Sequence, residues 1–92
     1  MFQKWNMKTF GDFDGLALFV RIVQAGGLAA AERATGIPKA TLSRRLSALE
    51  ETLKGRLARR TKKGVILTEQ GQQLFERGRT AFMLAEQAVA EV

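Results

Sequence analysis

Lys39, Ala40, Ser43, Arg44 and Ser47 are the residues whose types and spacing suit a chemistry of recognition. Wound as an α-helix at roughly 100° per residue, the stretch PKATLSRRLSALEETL from Pro38 to Leu53 gathers them on one face. Leu42, Leu46, Leu49 and Leu53 form a narrow apolar stripe about 120° away on the same wheel. The stripe is expected in a core and the other face outside it. Such an outer face suits a DNA major groove. Arg44 offers a bidentate fork to guanine, Lys39, Ser43 and Ser47 reach bases or phosphates, and Ala40 lets the backbone come close. Thr41 joins the set as a further hydroxyl. An ordinary amphipathic surface helix would share the pattern, so the neighbouring elements have to decide.

With 92 residues the chain is one small domain with room for one function. It has no Cys and no His, which removes the usual metal sites, the thiolate nucleophile and the commonest general base, so neither an enzyme nor a metal or other cofactor is expected. No apolar run reaches the roughly 20 residues of a membrane span, and no signal peptide is readable. A cytoplasmic protein with no membrane partner is expected. The net charge of +6 is unevenly spread: residues 1–67 hold 13 Lys and Arg against 5 Asp and Glu, whereas residues 68–92 hold 2 against 4. The basic two-thirds call for a polyanion.

The elements that must position the basic face can be read in order. Residues 1–11 show no clear period and are expected to be a tail or leader, with Phe2 and Trp5 able to cap a core edge. Asp12 or Asp14 is then expected to cap a first helix carrying Leu16, Phe19, Val20 and Val23 at helical spacing and ending at Gly26-Gly27. Leu28 to Thr35 is a short Ala-rich helix stopped by Gly36, and Pro38 suits the first position of the next helix. Helix, tight turn and helix make a helix-turn-helix. Gly55 is expected to stop the basic helix. LARRT and VILT, joined by Lys62-Lys63-Gly64, then form a small β-hairpin, or wing, whose Arg60, Lys62 and Lys63 suit phosphates or a minor groove.

Thr68 is the expected N-cap of a last helix, with Glu69 at the favourable end of its dipole. Along that helix Leu74, Gly78, Ala81, Ala85 and Ala88 step by four and three, flanked by Phe75, Phe82 and Val89. This is a heptad seam, longer than a three-helix domain can cover, so part of it is expected to meet a second chain.

In this order the segments LALFVRIVQAGGLAAA, GIPKATLSRRLSALEE and LARRTKKGVILTEQG resemble the N-terminal DNA-binding domain of a LysR-type transcriptional regulator, over about Phe13 to Val92. The resemblance implies a mainly α fold, a winged helix-turn-helix over residues 12–67 with a dimerising linker helix over 68–92. It implies DNA contacts at Lys39, Ala40, Ser43 and Arg44, and, on the backbone or minor groove, at Arg60, Lys62 and Lys63. Gly27 stands where the family usually has a capping Ser, Thr35 replaces a usual Leu, Ala58 a usual Phe, and Pro38-Lys39 a common Ser-Gln. The family's effector-binding domain lies outside this sequence, so the chain is either a fragment or a stand-alone domain, and a small-molecule effector is expected only with that domain. The expected function is sequence-specific binding of double-stranded DNA, on an inverted-repeat operator, by a homodimer or higher assembly that regulates transcription. A basic helical module that binds an acidic protein partner without sequence preference is the alternative.

Overall fold

The computed structural model describes the backbone of residues 7–92 and the side chains of residues 13–92. Phe2 and Trp5 lie outside the described residues. The elements run α1 (Met7–Ala25), α2 (Leu28–Thr35), α3 (Lys39–Leu53), β1 (Ala58–Thr61), β2 (Gly64–Leu67) and α4 (Glu69–Ala90). The fold is the mainly helical winged helix-turn-helix that the sequence leads one to expect.

Its core forms where three apolar stripes meet. Phe19 and Ile22 of α1, Ala31 of α2, and Leu42, Leu46 and Leu49 of α3 are buried together with Leu57 and Ala58 at the start of the wing. Fully burying a leucine such as Leu42 contributes about 1.5–3 kcal/mol, and three of them lock α3 against α1. Leu53 departs from the expectation, being 49% exposed. It is the last residue of α3, and there the stripe runs past the edge of the core. Ala31 has no exposed surface; a small side chain at this position lets α2 lie close to the core.

Three local expectations are corrected. Asp12 and Asp14 do not cap α1, because the helix already runs from Met7 and both lie inside it. Met7 to Gly11 are therefore helical. Pro38 sits one position earlier than expected, as the extended N-cap of α3 with ψ 140°. Gly55 is not the residue that turns the chain out of α3. Lys54 does so in the left-handed conformation with φ 57°, which a side chain with a Cβ adopts only at some cost.

Other signals hold. Gly36 closes α2 at φ 78°, and Thr35 reinforces the turn, its hydroxyl donating to the Ala31 carbonyl at 2.8 Å and accepting from the Ile37 amide at 3.1 Å. Thr68 caps α4 by accepting from the Gly71 amide at 3.0 Å while its hydroxyl donates to the Arg56 carbonyl at 2.7 Å. Beta strands β1 and β2 pair antiparallel, Ala58 opposite Leu67 and Thr61 opposite Gly64. Among the described residues no single helix is long and apolar enough to cross a membrane.

Candidate nucleic-acid interface

The N-terminal turns of α3 stand clear of the core on the face opposite Leu42 and Leu46. Lys39, Ala40, Arg44 and Ser47 are exposed, and Thr41 and Ser43 half-buried. The Arg44 guanidinium folds back one turn and donates to the Thr41 hydroxyl at 3.2 Å. This holds it along the helix without burying it, so it is free to exchange that acceptor for another.

Two acidic residues that the helical pattern did not single out fix this helix in place. Glu32 of α2 accepts from the Lys39 amide at 3.2 Å and so satisfies one free N–H at the start of α3, a task its own cap, Pro38, does not perform. At the other end, Glu50 is 7% exposed and accepts from the Leu57 amide at 2.8 Å, the Ala58 amide at 3.2 Å and Arg56 Nε at 3.4 Å. A buried carboxylate with three donors is compensated, and here it ties the end of α3 to the start of the wing. Between these points Arg45 pairs with Asp14 of α1 at 3.1 Å, an exposed contact of little energy.

The wing carries its cations on two sides. Lys62 and Lys63 occupy the exposed tip, and Arg59 faces outward beside them. Arg60 turns inward onto α3. Its Nη2 donates to the Ser43 carbonyl at 3.2 Å and to the Ser47 hydroxyl at 3.1 Å, and its Nε is buried without a partner. Strand alternation turns Arg60 onto α3 and Arg59 away from it.

Between the wing and the start of α2 lies a cleft of about 420 Å³, lined by residues 26–30, Arg33, Lys39, Arg60, Thr61, Lys62, Lys63 and Gly64. It has five cationic residues in its wall and no carboxylate. The N-terminus of α2 opens onto it, with Gly27 supplying no side-chain cap, as the missing serine implied. The wing backbone closes tightly there: a Cβ on Gly27 would stand 2.8 Å from the Gly64 Cα, and one on Gly64 would collide with the Gly26 carbonyl. A cleft with backbone N–H groups, a helix dipole and a ring of cations attracts an anion such as a phosphate.

The far helix divides the expected seam. Gly78 does not lie on a free surface; a Cβ there would come within 3.1 Å of Leu16 and 3.2 Å of Val20, so its smallness serves the contact of α4 with α1. Leu74 and Phe75 also pack on the chain's own core, and Arg79 lies 6.0 Å over the Phe75 ring. Phe82 is half-buried, whereas Ala81, Ala85, Ala88 and Val89 are exposed, as are Met83 and Leu84.

This arrangement, an exposed polar helix face beside a basic wing, can be set against known proteins. A model of the bacterial regulatory helix-turn-helix protein, lysR family, matches residues 13–72, well over half of the chain. The chain belongs to the LysR family. It is 42% identical over 62 residues to an HTH-type transcriptional repressor of Pseudomonas aeruginosa, a match spanning 67% of this chain and 20% of that protein. Over 89 residues it is 34% identical to the HTH-type transcriptional activator BauR of the same species, spanning 95% of this chain and 29% of BauR. The chain therefore corresponds to less than a third of either relative. Among solved structures, the LysR-family CbnR_DBD–DNA complex superposes with a TM-score of 0.75 at 29% identity, covering 86% of this chain and 91% of that one. The full-length AphB of Vibrio cholerae gives 0.78 at 32% identity, covering 85% and 27%.

Proposed function

We propose that this LysR-family chain binds double-stranded DNA sequence-specifically, as the DNA-reading part of a transcriptional regulator. The observation that carries the reading is the pairing of a face with exposed Lys39, Ala40 and Arg44 and half-buried Thr41 and Ser43 with a carboxylate-free basic cleft beside it. In this reading α3 enters the major groove. Arg44 and Ser43 meet base edges, while Lys39, Lys62 and Lys63 and the start of α2 hold phosphates on either side. Phosphate contacts supply affinity and base contacts supply choice of site. The role is binding, with no catalysis and no cofactor, and its setting is the cytoplasm. Residues 12–67 act as the reading unit and 68–92 as the linker helix. Ala81, Ala85, Ala88 and Val89 of α4, with Phe82 at their edge, pair with a second copy, so that two reading helices meet an inverted repeat. An effector acts only through a further domain.

Selection of bound duplexes from a random DNA pool tests the proposal. The expected result is a recovered inverted repeat bound at least about 1,000-fold more tightly than random duplex, the lower end for specific recognition. Equal binding of all duplexes would instead favour a basic module for acidic protein partners.

A further inference from the structure

We propose that Arg60 is a positioning residue of the DNA interface that acts through Ser47. The inference rests on the DNA-binding reading above and adds a role for two residues within it. A serine hydroxyl has one proton to donate and two lone pairs to accept with. In this chain the Ser47 oxygen accepts from Arg60 Nη2 at 3.1 Å, and the hydrogen bonds of the described residues give its own O–H no acceptor. The acceptor side of Ser47 is therefore filled from within the protein, by a cation. Its proton is left without a partner among the described residues, at an exposed position on the same face as Ser43 and Arg44. Donation by a charged group polarises the hydroxyl and strengthens it as a donor in turn.

Arg60 Nη2 is already shared between the Ser43 carbonyl and Ser47, and Nε is enclosed without a partner. Arg60 alternates with Arg59 on β1 and sits against the middle of α3, so it also fixes the distance between the wing and the reading helix. Ser47 lies two turns from the start of α3, beyond the N-terminal residues that reach base edges in this mode of docking. Its proton is therefore assigned to a backbone phosphate oxygen, an acceptor found on every duplex.

The test is a double-variant cycle, read by titrating fluorescent duplexes, both the one recovered by selection and a random one. Ser47→Ala should weaken binding to both duplexes by about two- to tenfold, the scale of one hydrogen bond. Arg60→Met should weaken binding at least as much, and Arg60→Met with Ser47→Ala should bind within about twofold of Arg60→Met, because the two act as a unit. A double variant whose loss is the product of the single losses would overturn the proposal, since Arg60 would then act on DNA independently. If Arg60→Met does not fold, the side-chain N–H resonances of Arg60 in the parent protein decide the same point. Slow exchange with water in the free protein, faster exchange in Ser47→Ala and an unmoved position on adding duplex support it. Exchange as fast as that of Arg44 overturns it. A pool that yields no preferred duplex would strike at sequence-specific reading and leave the cycle on random duplex still able to decide the role of Arg60.

Discussion

The reading helix and the outer half of α4 are both largely exposed, yet they are exposed in opposite ways. Along α3 each stretch is tied to a neighbour from another element: Glu32 at the Lys39 amide, Asp14 at Arg45, Arg60 at Ser43 and Ser47, and Glu50 at the wing. The surface it offers is polar and held in place before any ligand arrives. Beyond Gly78, by contrast, α4 shows alanines, Met83, Leu84 and Val89, with no comparable set of ties among the described residues. One region is tied to neighbouring elements along its length; the other presents apolar surface.

The sharpest way to break that comparison is to charge the outer half of α4. Ala81→Glu with Ala85→Glu places carboxylates where close helix approach is proposed. It should leave the thermal midpoint of the chain nearly unchanged, yield a monomer by sedimentation, and lower affinity for the full inverted repeat by about 100-fold or more, the scale of lost bivalency. Half-site affinity should hold. A variant that still sediments as a dimer would remove the seam from the argument.

On the other side, Glu50→Ala attacks the ties themselves. Two buried amides, of Leu57 and Ala58, would lose their acceptor at about 1–3 kcal/mol each, so chemical denaturation should show a loss of about 2–6 kcal/mol. Survival of the parent stability would mean that water or another group takes over the amides. Smaller again is Arg44→Ala, which should cost about 1–3 kcal/mol on the selected duplex and less on random DNA; titration of both duplexes separates base reading from a phosphate contact. Smallest is Lys54→Gly. Relieving a left-handed lysine at φ 57° should raise stability by about 0.5–1 kcal/mol in a thermal melt, and no gain would show that the unfolded-state entropy of glycine cancels the relief.

Much of this was legible in the sequence because period and punctuation agreed there. Leu42, Leu46 and Leu49 announced the buried side of α3, Gly36 and Thr68 marked ends, and Lys62-Lys63-Gly64 marked the wing turn. What stayed hidden had a physical reason in each case. Strand β1 is only ARRT, too short and too polar for alternation to reveal which arginine turns inward, so the bonds of Arg60 to Ser43 and Ser47 could not be read from it. Glu50 sits in a helix rich in charge, where a carboxylate reads as solvated, and nothing local says that the wing's amides will bury it. Gly78 fits a heptad seam by spacing, but whether a small residue admits a partner chain or α1 depends on how α4 lies across the domain. The start of α1 was missed because two aspartates mimic a cap, although Asp14 instead meets Arg45 from a distance of 31 residues.

The contact of Gly27 with Gly64 also constrains how this molecule could be rebuilt. The two glycines belong to segments far apart in the chain, yet a methyl group on Gly27 would meet the Gly64 backbone and one on Gly64 the Gly26 carbonyl. A library meant to alter DNA preference through the wing can vary positions 62 and 63 freely, since both project into solvent, but diversity at 64 would move the hairpin and the α1–α2 turn together and change every contact of the cleft at once. Restoring a serine cap at 27 would meet the same obstruction from the other side, so a compensating shift of the wing would have to be designed along with it.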